Sequence, residues 1–357
     1  MTARHPWRAM LLLLTVAALF VVGSGAGSAA PSRAVSGTIV VTSYGGTWEE
    51  FMRKVIIPGF EAENPGTKVE LAVGLSRDWI SKIRAAGKSN PPYDVVIANA
   101  VWVSAARLEG HFEKFTEETV PNLKEVWPEL RNKGDVGVIF ALNPLGLGYR
   151  KDLVQTPPKR WKDLWNAEYK GKLGIYSINN SAGPMFIMLT AKLFANDPKN
   201  IDAGIAKIKE LRPFRQSDFS GDMEILLTRG EVQIGILDAP AASRLKRQGV
   251  PLEFVPPIEG MFMFEQDTNV TVGSKNKATA YAFVNYMLSR PTQEKWSNQY
   301  FLTPANRNLR FTGEMAQLIP IHTGPQIRSI IKWDWDWFNT GAREQMIEKW
   351  NREIIGR

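Results

Sequence analysis

Apolar and polar positions along this chain fall into alternating strand-like and helix-like stretches. Gly37 to Ser43 (Gly-Thr-Ile-Val-Val-Thr-Ser) is a β-branched run that reads as a buried strand. A Gly-Gly loop and a helix from Thr47 follow, with Thr47 and Glu50 at capping-box spacing. Lys68 to Val73 and Tyr93 to Ala98 read as the next two strands, the latter bounded by Pro91-Pro92. A helix from Trp79 to Ala86 separates them. Asp135 to Ala141 opens another extended run, which 143–150 continues without a long helix, the signature of a chain crossing into a second lobe. There, Trp161 and Trp165 stand four apart on an expected helix, with Leu164 completing the apolar stripe. Lys170-Gly171-Lys172 ends it, and Leu173 to Ser177 reads as a strand. Helices over 183–195, 200–211 and 221–229, a strand from Val232 to Leu237 and a short extended piece from Glu253 to Pro256 complete this region. Asp267 to Val272 returns the chain to the first lobe, ahead of helices over 277–288 and 292–299. A Trp-rich tail (Trp333, Trp335, Trp337) ends in a helix near 340–354.

Strands alternating with helices predict an α/β protein with mostly parallel sheets. Ligands of such sheets sit outside the carboxyl ends of the strands. Tyr44 to Trp48 and Asn99 to Trp102 therefore lie on a binding rim.

Composition narrows the class. The chain has 357 residues, 44% hydrophobic and 22% charged, which is enough for two lobes rather than one core. Arg4 and Arg8 precede an apolar run from Met10 to Val22 and then small residues through Ala30, the layout of a cleaved signal peptide over residues 1–30. The run is short for a membrane span. The chain contains no Cys, which excludes thiol catalysis, Cys-based metal sites and a lipid-modified cysteine at the cleavage point. A free periplasmic monomer is expected. The formal charge of +8 falls to +6 without Arg4 and Arg8, and no basic block with interleaved aromatics points to nucleic acid.

Several segments, in order, resemble bacterial solute-binding proteins that serve ABC importers, in the polyamine- and iron-binding branch. They are Tyr44-Gly-Gly-Thr-Trp48 after the first strand, Tyr93-Asp-Val-Val-Ile97, Gly146-Leu-Gly-Tyr-Arg150, the Trp161 to Ser177 unit, Gly230-Glu-Val-Gln-Ile-Gly235 and Asn276 to Pro291. The resemblance covers about 37 to 354. It implies a two-lobed periplasmic binding protein fold of type II, each lobe a mostly parallel sheet flanked by helices, joined by crossover strands and closing on a small molecule. Lobe one is expected over 37–142 and 268–303, and lobe two over 146–265 and 304–357. The implied partners are a small solute and ABC permease subunits. The implied role is non-enzymatic and needs no cofactor.

Aromatic and polar residues on the rims are the binding candidates. Tyr44 and Trp48 flank Gly45-Gly46, where backbone can approach a ligand closely. A Trp face near an ammonium contributes about 0.5–2 kcal/mol. In polyamine-binding relatives, aromatics on this loop sandwich the alkyl-amine. Asn99, after the third strand, stands where the family places a small polar contact. Asp238 ends the strand 232–237. A carboxylate there costs desolvation unless paired, and either a ligand cation or the N-terminus of the following helix is a natural partner. Polyamine binders often carry an aromatic at this place, so its replacement points away from a polyamine. Asn179 and Asn180 stand where those relatives tend to show acids, which favours a smaller or zwitterionic ligand. Ser181 precedes a helix whose N–H donors suit an anionic group. Asp218, before the helix 221–229, faces the expected cleft, and Asp267 corresponds loosely, with spacing off by about one, to an amine-binding Asp.

His111 and His322 are the only histidines beyond the signal segment, and there is no adjacent Tyr pair of the kind iron-binding relatives use. Metal binding is not expected. Ala86-Gly-Lys-Ser89 lacks the leading Gly of a P-loop, and no Gly-x-Ser-x-Gly elbow occurs. The expected function is capture of a small amine-bearing or zwitterionic solute for an ABC importer. Polyamine binding, a sensory binding subunit and Fe(III) binding are the alternatives.

Overall fold

β1 (Gly37–Ser43) pairs in parallel with β2 (Thr67–Val73) on one side and β3 (Val95–Asn99) on the other. The same arrangement recurs later in the chain. There β5 (Leu173–Tyr176) pairs in parallel with β6 (Arg215–Ser217) and β7 (Ile234–Asp238). Two long strands join these halves. β4 (Val138–Arg150) runs antiparallel to β7 and also to β8 (Leu252–Val255), while β9 (Phe262–Val270) runs antiparallel to both β3 and β4. The path β2-β1-β3-β9-β4-β7-β5-β6 thus reads as one motif from each end: three parallel strands followed by one antiparallel strand. A short β10 (Thr303–Pro304) adds to β4. This computed structural model describes residues 35–356; the signal segment expected over 1–30 lies outside the described residues.

The crossing expected over 135–150 is one strand that begins at Val138, after a 3-10 turn over Lys133–Asp135, and its first eleven residues are buried. Pro144 is tolerated there even though it removes an N–H donor from the ladder. A β-bulge lies between Ile139 and Ala141 opposite β9. Buried apolar side chains gather into two large cores. One collects Ile39, Val41, Met52 and Phe60 with Phe283 and Trp296 around the first half-sheet. The other collects Ile175, Phe186, Ile205 and Ile236 around the second half, and takes Phe338, Met346 and Trp350 of the tail. The end of the chain is tied to helix Ile201–Glu210 and to Arg212 just beyond it. Lys349 pairs with Asp202, and Arg212 donates to the Glu353 carbonyl at 2.8 Å.

Two local expectations change. Trp161–Trp165 is a 3-10 helix rather than an α-helix. Five residues are too few to nucleate an α-helix on their own, and long-range bonds hold the indoles instead. Trp161 Nε1 donates to Gly260 O at 2.7 Å and Trp165 Nε1 to Lys207 O at 2.9 Å. Both rings still meet one partner, Phe186. The capping box at Thr47 is absent. Gly46, with φ +67°, precedes the helix without a side-chain cap, and the Thr47 hydroxyl meets the Tyr300 hydroxyl at 3.0 Å.

Candidate functional site

The carboxyl ends of β1, β3, β5, β6 and β7 converge on a cavity of about 840 Å³. This is where a parallel sheet leaves backbone ends and helix starts free to meet a ligand. Of the residues singled out in the sequence, Tyr44, Gly45, Trp48, Asn99, Asn179, Asn180, Ser181, Asp218 and Asp238 all line it.

The wall after β1 is aromatic. The Tyr44 ring lies edge-on to Trp48 at 5.6 Å and 5.3 Å from Trp79, and its hydroxyl meets Ser76 Oγ at 2.8 Å. Burial raises the Tyr44 phenol well above its ordinary range, so it stays neutral. Trp48 is a wedge between cavity and core. It is 4% exposed, 4.5 Å from the Trp296 ring and 5.5 Å from that of Tyr300. Core packing and a pocket wall are therefore the same side chain. Gly45 and Gly46 keep this loop free of bulk at the cavity edge.

The opposite wall carries the charge. Asp238 is 3% exposed and begins helix Ala239–Arg247. Its Oδ1 accepts from Ala241 N at 3.1 Å and from Asn143 Nδ2 at 3.3 Å, while Oδ2 takes no hydrogen bond among the described residues. Helix cap and candidate ligand partner are thus two oxygens of one carboxylate. Asp218 is exposed, accepting from Ser177 Oγ and from Asn179 Nδ2 at 3.5 Å. Asn180 Nδ2 donates to the Asp218 carbonyl at 3.0 Å. The asparagines thus brace the acidic loop as well as bordering the cavity.

Ser181 joins the walls. Its hydroxyl donates to Asn99 Oδ1 at 3.0 Å and accepts from Trp102 Nε1 at 3.1 Å. It makes no side-chain cap for its own helix, Ala182–Ala195. Asn99, Ser181 and Trp102 therefore form a seam between the halves at the edge of the cavity.

Asp267 does not line this cavity. It is fully buried, pairs with Arg107 and accepts from Asn132 Nδ2 at 3.0 Å and Asn269 Nδ2 at 3.1 Å. The cause is strand alternation: side chains two apart share a face. Phe264 and Gln266 of β9 line the cavity, whereas Glu265 and Asp267 belong to the other face. Glu265 accepts there from Trp335 Nε1 at 3.3 Å. Burial first, and Asp267 second, push its carboxyl up to about 7.

Several lining residues were not singled out in the sequence. Phe264 and Gln266 become visible once the register of β9 is known. Arg244 sits near the end of its helix with Lys246 and Arg247, where basic residues are ordinary. Here its guanidinium lies 4.5 Å from the Tyr300 ring and 3.2 Å from Glu224. Burial raises the Glu224 carboxyl despite that pairing, and Asp238 adds to the effect. Tyr300 arrives from a distant helical turn, and no local signal marks it.

A two-walled cavity spanned by crossover strands is the architecture expected of a solute binder, and the family model for bacterial extracellular solute-binding proteins matches residues 56–318. This chain belongs to that family. Among curated members, the spermidine/putrescine-binding periplasmic protein of Salmonella typhimurium is 28% identical over 267 residues, covering 71% of this chain and 74% of that protein. Among solved structures, a putative extracellular solute-binding protein from Bordetella parapertussis has a TM-score of 0.74 at 24% identity, covering 89% of this chain and 98% of its own. A GABA receptor structure also scores 0.74, at 20% identity, covering 88% and 96%. The type II, two-lobed architecture with crossover strands is thus that of this solute-binding family. No helix among the described residues is long and apolar enough to cross a membrane.

Proposed function

We propose that this solute-binding protein works in the periplasm after removal of its signal segment. It captures a small amine-bearing or zwitterionic solute between its lobes and presents it to the permease of an ABC importer. The carrying observation is Asp238. A nearly buried carboxylate at the carboxyl end of β7 keeps one oxygen without a partner beside the cavity. The Arg244 guanidinium already feels the Asp238 charge, but the second oxygen makes no hydrogen bond, and a charge-assisted bond from a ligand cation contributes about 1.5–3 kcal/mol. Tyr44, Trp48 and Tyr300 supply aromatic faces and edges for the alkyl portion.

Lobe one is assigned to 37–142 with 268–303, and lobe two to 146–265 with the tail from 304. The Lys349–Asp202 pair and the bond from Arg212 to Glu353 support placing the end of the tail with lobe two. Contacts of one ligand with both walls favour the closed arrangement by differential affinity. The protein acts as a monomer and carries out no chemistry on the solute. Tyr44, Gly45, Trp48, Asn99, Asn179, Asn180, Ser181, Asp218 and Asp238 form the binding surface.

The spermidine/putrescine-binding relative makes a polyamine the competing solute. Thermal unfolding of the purified protein against amines, amino acids, aminophosphonates and Fe(III) tests the reading. Stabilisation by an amine-bearing compound is expected. Stabilisation by Fe(III) alone overturns it. Loss of uptake of the identified solute on gene deletion tests the transport role; unchanged uptake with a lost sensory response makes it a receptor subunit instead.

A further inference from the structure

The polar atoms that the protein leaves without partners around the cavity sort by kind and by place. Two are donors, Trp48 Nε1 and Arg244 Nη1, both buried and unpartnered among the described residues. Both groups pack on one ring. Trp48 lies edge-on to Tyr300 at 5.5 Å, and the Arg244 guanidinium carbon lies 4.5 Å from its centre. The acceptors are Glu224 Oε2, beside Arg244, and a set joined by a relay. Gln266 Nε2 donates to Asn143 Oδ1 at 2.9 Å, and Asn143 Nδ2 donates to Asp238 Oδ1 at 3.3 Å. The carboxylate fixes this direction, since only the amide NH₂ of Asn143 can face it. The relay leaves Gln266 Oε1 buried and unpartnered, and Asp238 Oδ2 without a hydrogen bond.

The cavity thus has a donor end around Tyr300, where Arg244 also pairs with Glu224, and an acceptor end along Asp238–Asn143–Gln266. We infer that the solute carries one ammonium and one carboxylate. Asp238 Oδ2 and Gln266 Oε1 hold the ammonium, and Arg244 Nη1 with Trp48 Nε1 holds the carboxylate. This deepens the amine-bearing reading above and rests on it. A diamine of equal length would bring a second cation against the Arg244 guanidinium and leave both donors unpaired. A dicarboxylate would bring an anion against Asp238. Glu224 does not rescue the diamine. Its Oε1 is taken by Arg244 Nη2 at 3.2 Å, so its charge is already paired with the guanidinium that a second ammonium would meet. That ion pair also orients the guanidinium through Nη2 and leaves Nη1 buried without a partner.

The test is calorimetric titration of the purified protein with three matched series: ω-amino carboxylates, α,ω-diamines and dicarboxylates of two to six carbons. The best amino carboxylate is expected to bind at least tenfold tighter than any diamine and any dicarboxylate. Arg244→Gln should weaken that amino carboxylate at least tenfold while leaving diamines unchanged or tighter. Trp48→Phe, which keeps an aromatic ring but removes the indole N–H together with part of the indole, should move the same ratio in the same direction by a smaller factor. It serves if the Arg244 variant fails to fold. Diamines binding as tightly as amino carboxylates overturn this inference and leave the amine reading standing. Dicarboxylates binding best overturn the amine reading and leave the donor pole. An amino-carboxylate to diamine ratio unchanged in both variants removes Arg244 and Trp48 from recognition. Binding by none of the three series overturns both.

Discussion

The two walls of the cavity are built from different chemistry. On the β1 side, Tyr44, Trp48 and Tyr300 pack on Trp79 and Trp296, so the wall is the outer layer of an aromatic core. On the β7 side, Asp218, Glu224, Asp238 and Arg244 supply most of the charge, held by helix starts, asparagines and one ion pair. The difference separates two tasks. A wall continuous with the core is rigid and shapes the ligand, because displacing it costs core packing. A wall of polar groups on loops and helix ends selects by charge and is free to differ between relatives without disturbing the core. Asp238 and Asn179 both belong to the second wall.

Substitutions on each wall should therefore fail in different ways. The largest effect is expected from Trp48→Ala. It removes a core side chain as well as a cavity wall and should lower unfolding free energy by about 3–5 kcal/mol, read by urea titration. A loss below about 1 kcal/mol would show that the aromatic wall is not part of the core. Asp238→Asn should do the opposite. Asn also caps helices, so stability should change little. Affinity for the amine-bearing solute should fall at least tenfold, about 1.5–3 kcal/mol for one charged bond, read by calorimetry. Equal affinity removes Asp238 from the site.

The back face of β9 sharpens the comparison, because its charges are structural. The Glu265 carboxyl is pushed up to about 7 from 4.5, so between those values the folded state holds a proton that the unfolded state has lost. Its contribution is fully present below about 4.5 and is lost as pH rises through 7. Glu265→Gln should therefore raise the unfolding temperature by a few degrees at pH 8 relative to the parent, with little gain at pH 4, and leave solute affinity alone. A matched loss of affinity would mean that the two faces of β9 are coupled. The smallest effect is expected at the seam. Ser181→Ala removes the bridge between Asn99 and Trp102, about 1 kcal/mol, and should shift the unliganded protein toward the open form, seen as a larger radius of gyration in X-ray scattering. An unchanged radius would mean that the seam does not hold the walls together.

Much of this was legible in local pattern. β1, β2, the helices after them and the strand at 173–176 lie where β-branched runs and glycine punctuation put them, and nine of the ten candidate binding residues line one cavity. The exceptions share a cause. Asp267 rests on a loose correspondence with an amine-binding Asp, but β9 begins at Phe262 and its alternation turns Gln266 inward. Thr47 has the spacing of a cap, yet its hydroxyl meets Tyr300, which lies 253 positions away. Trp161 and Trp165 have helical spacing, yet their indole bonds reach Gly260 and Lys207.

By itself the sequence determined the alternation of strands and helices, and with it the strand ends where a ligand meets backbone, because both arise from side-chain periodicity and turn chemistry within a few residues. Tertiary structure alone decided which atoms remain unpaired at those ends. Whether Asp238 keeps a free oxygen, whether Arg244 turns toward Tyr300, and whether Gln266 or Asp267 faces the cavity all depend on partners brought together by two crossover strands. A hydrogen-bond deficit is a property of three-dimensional surroundings that no local pattern encodes.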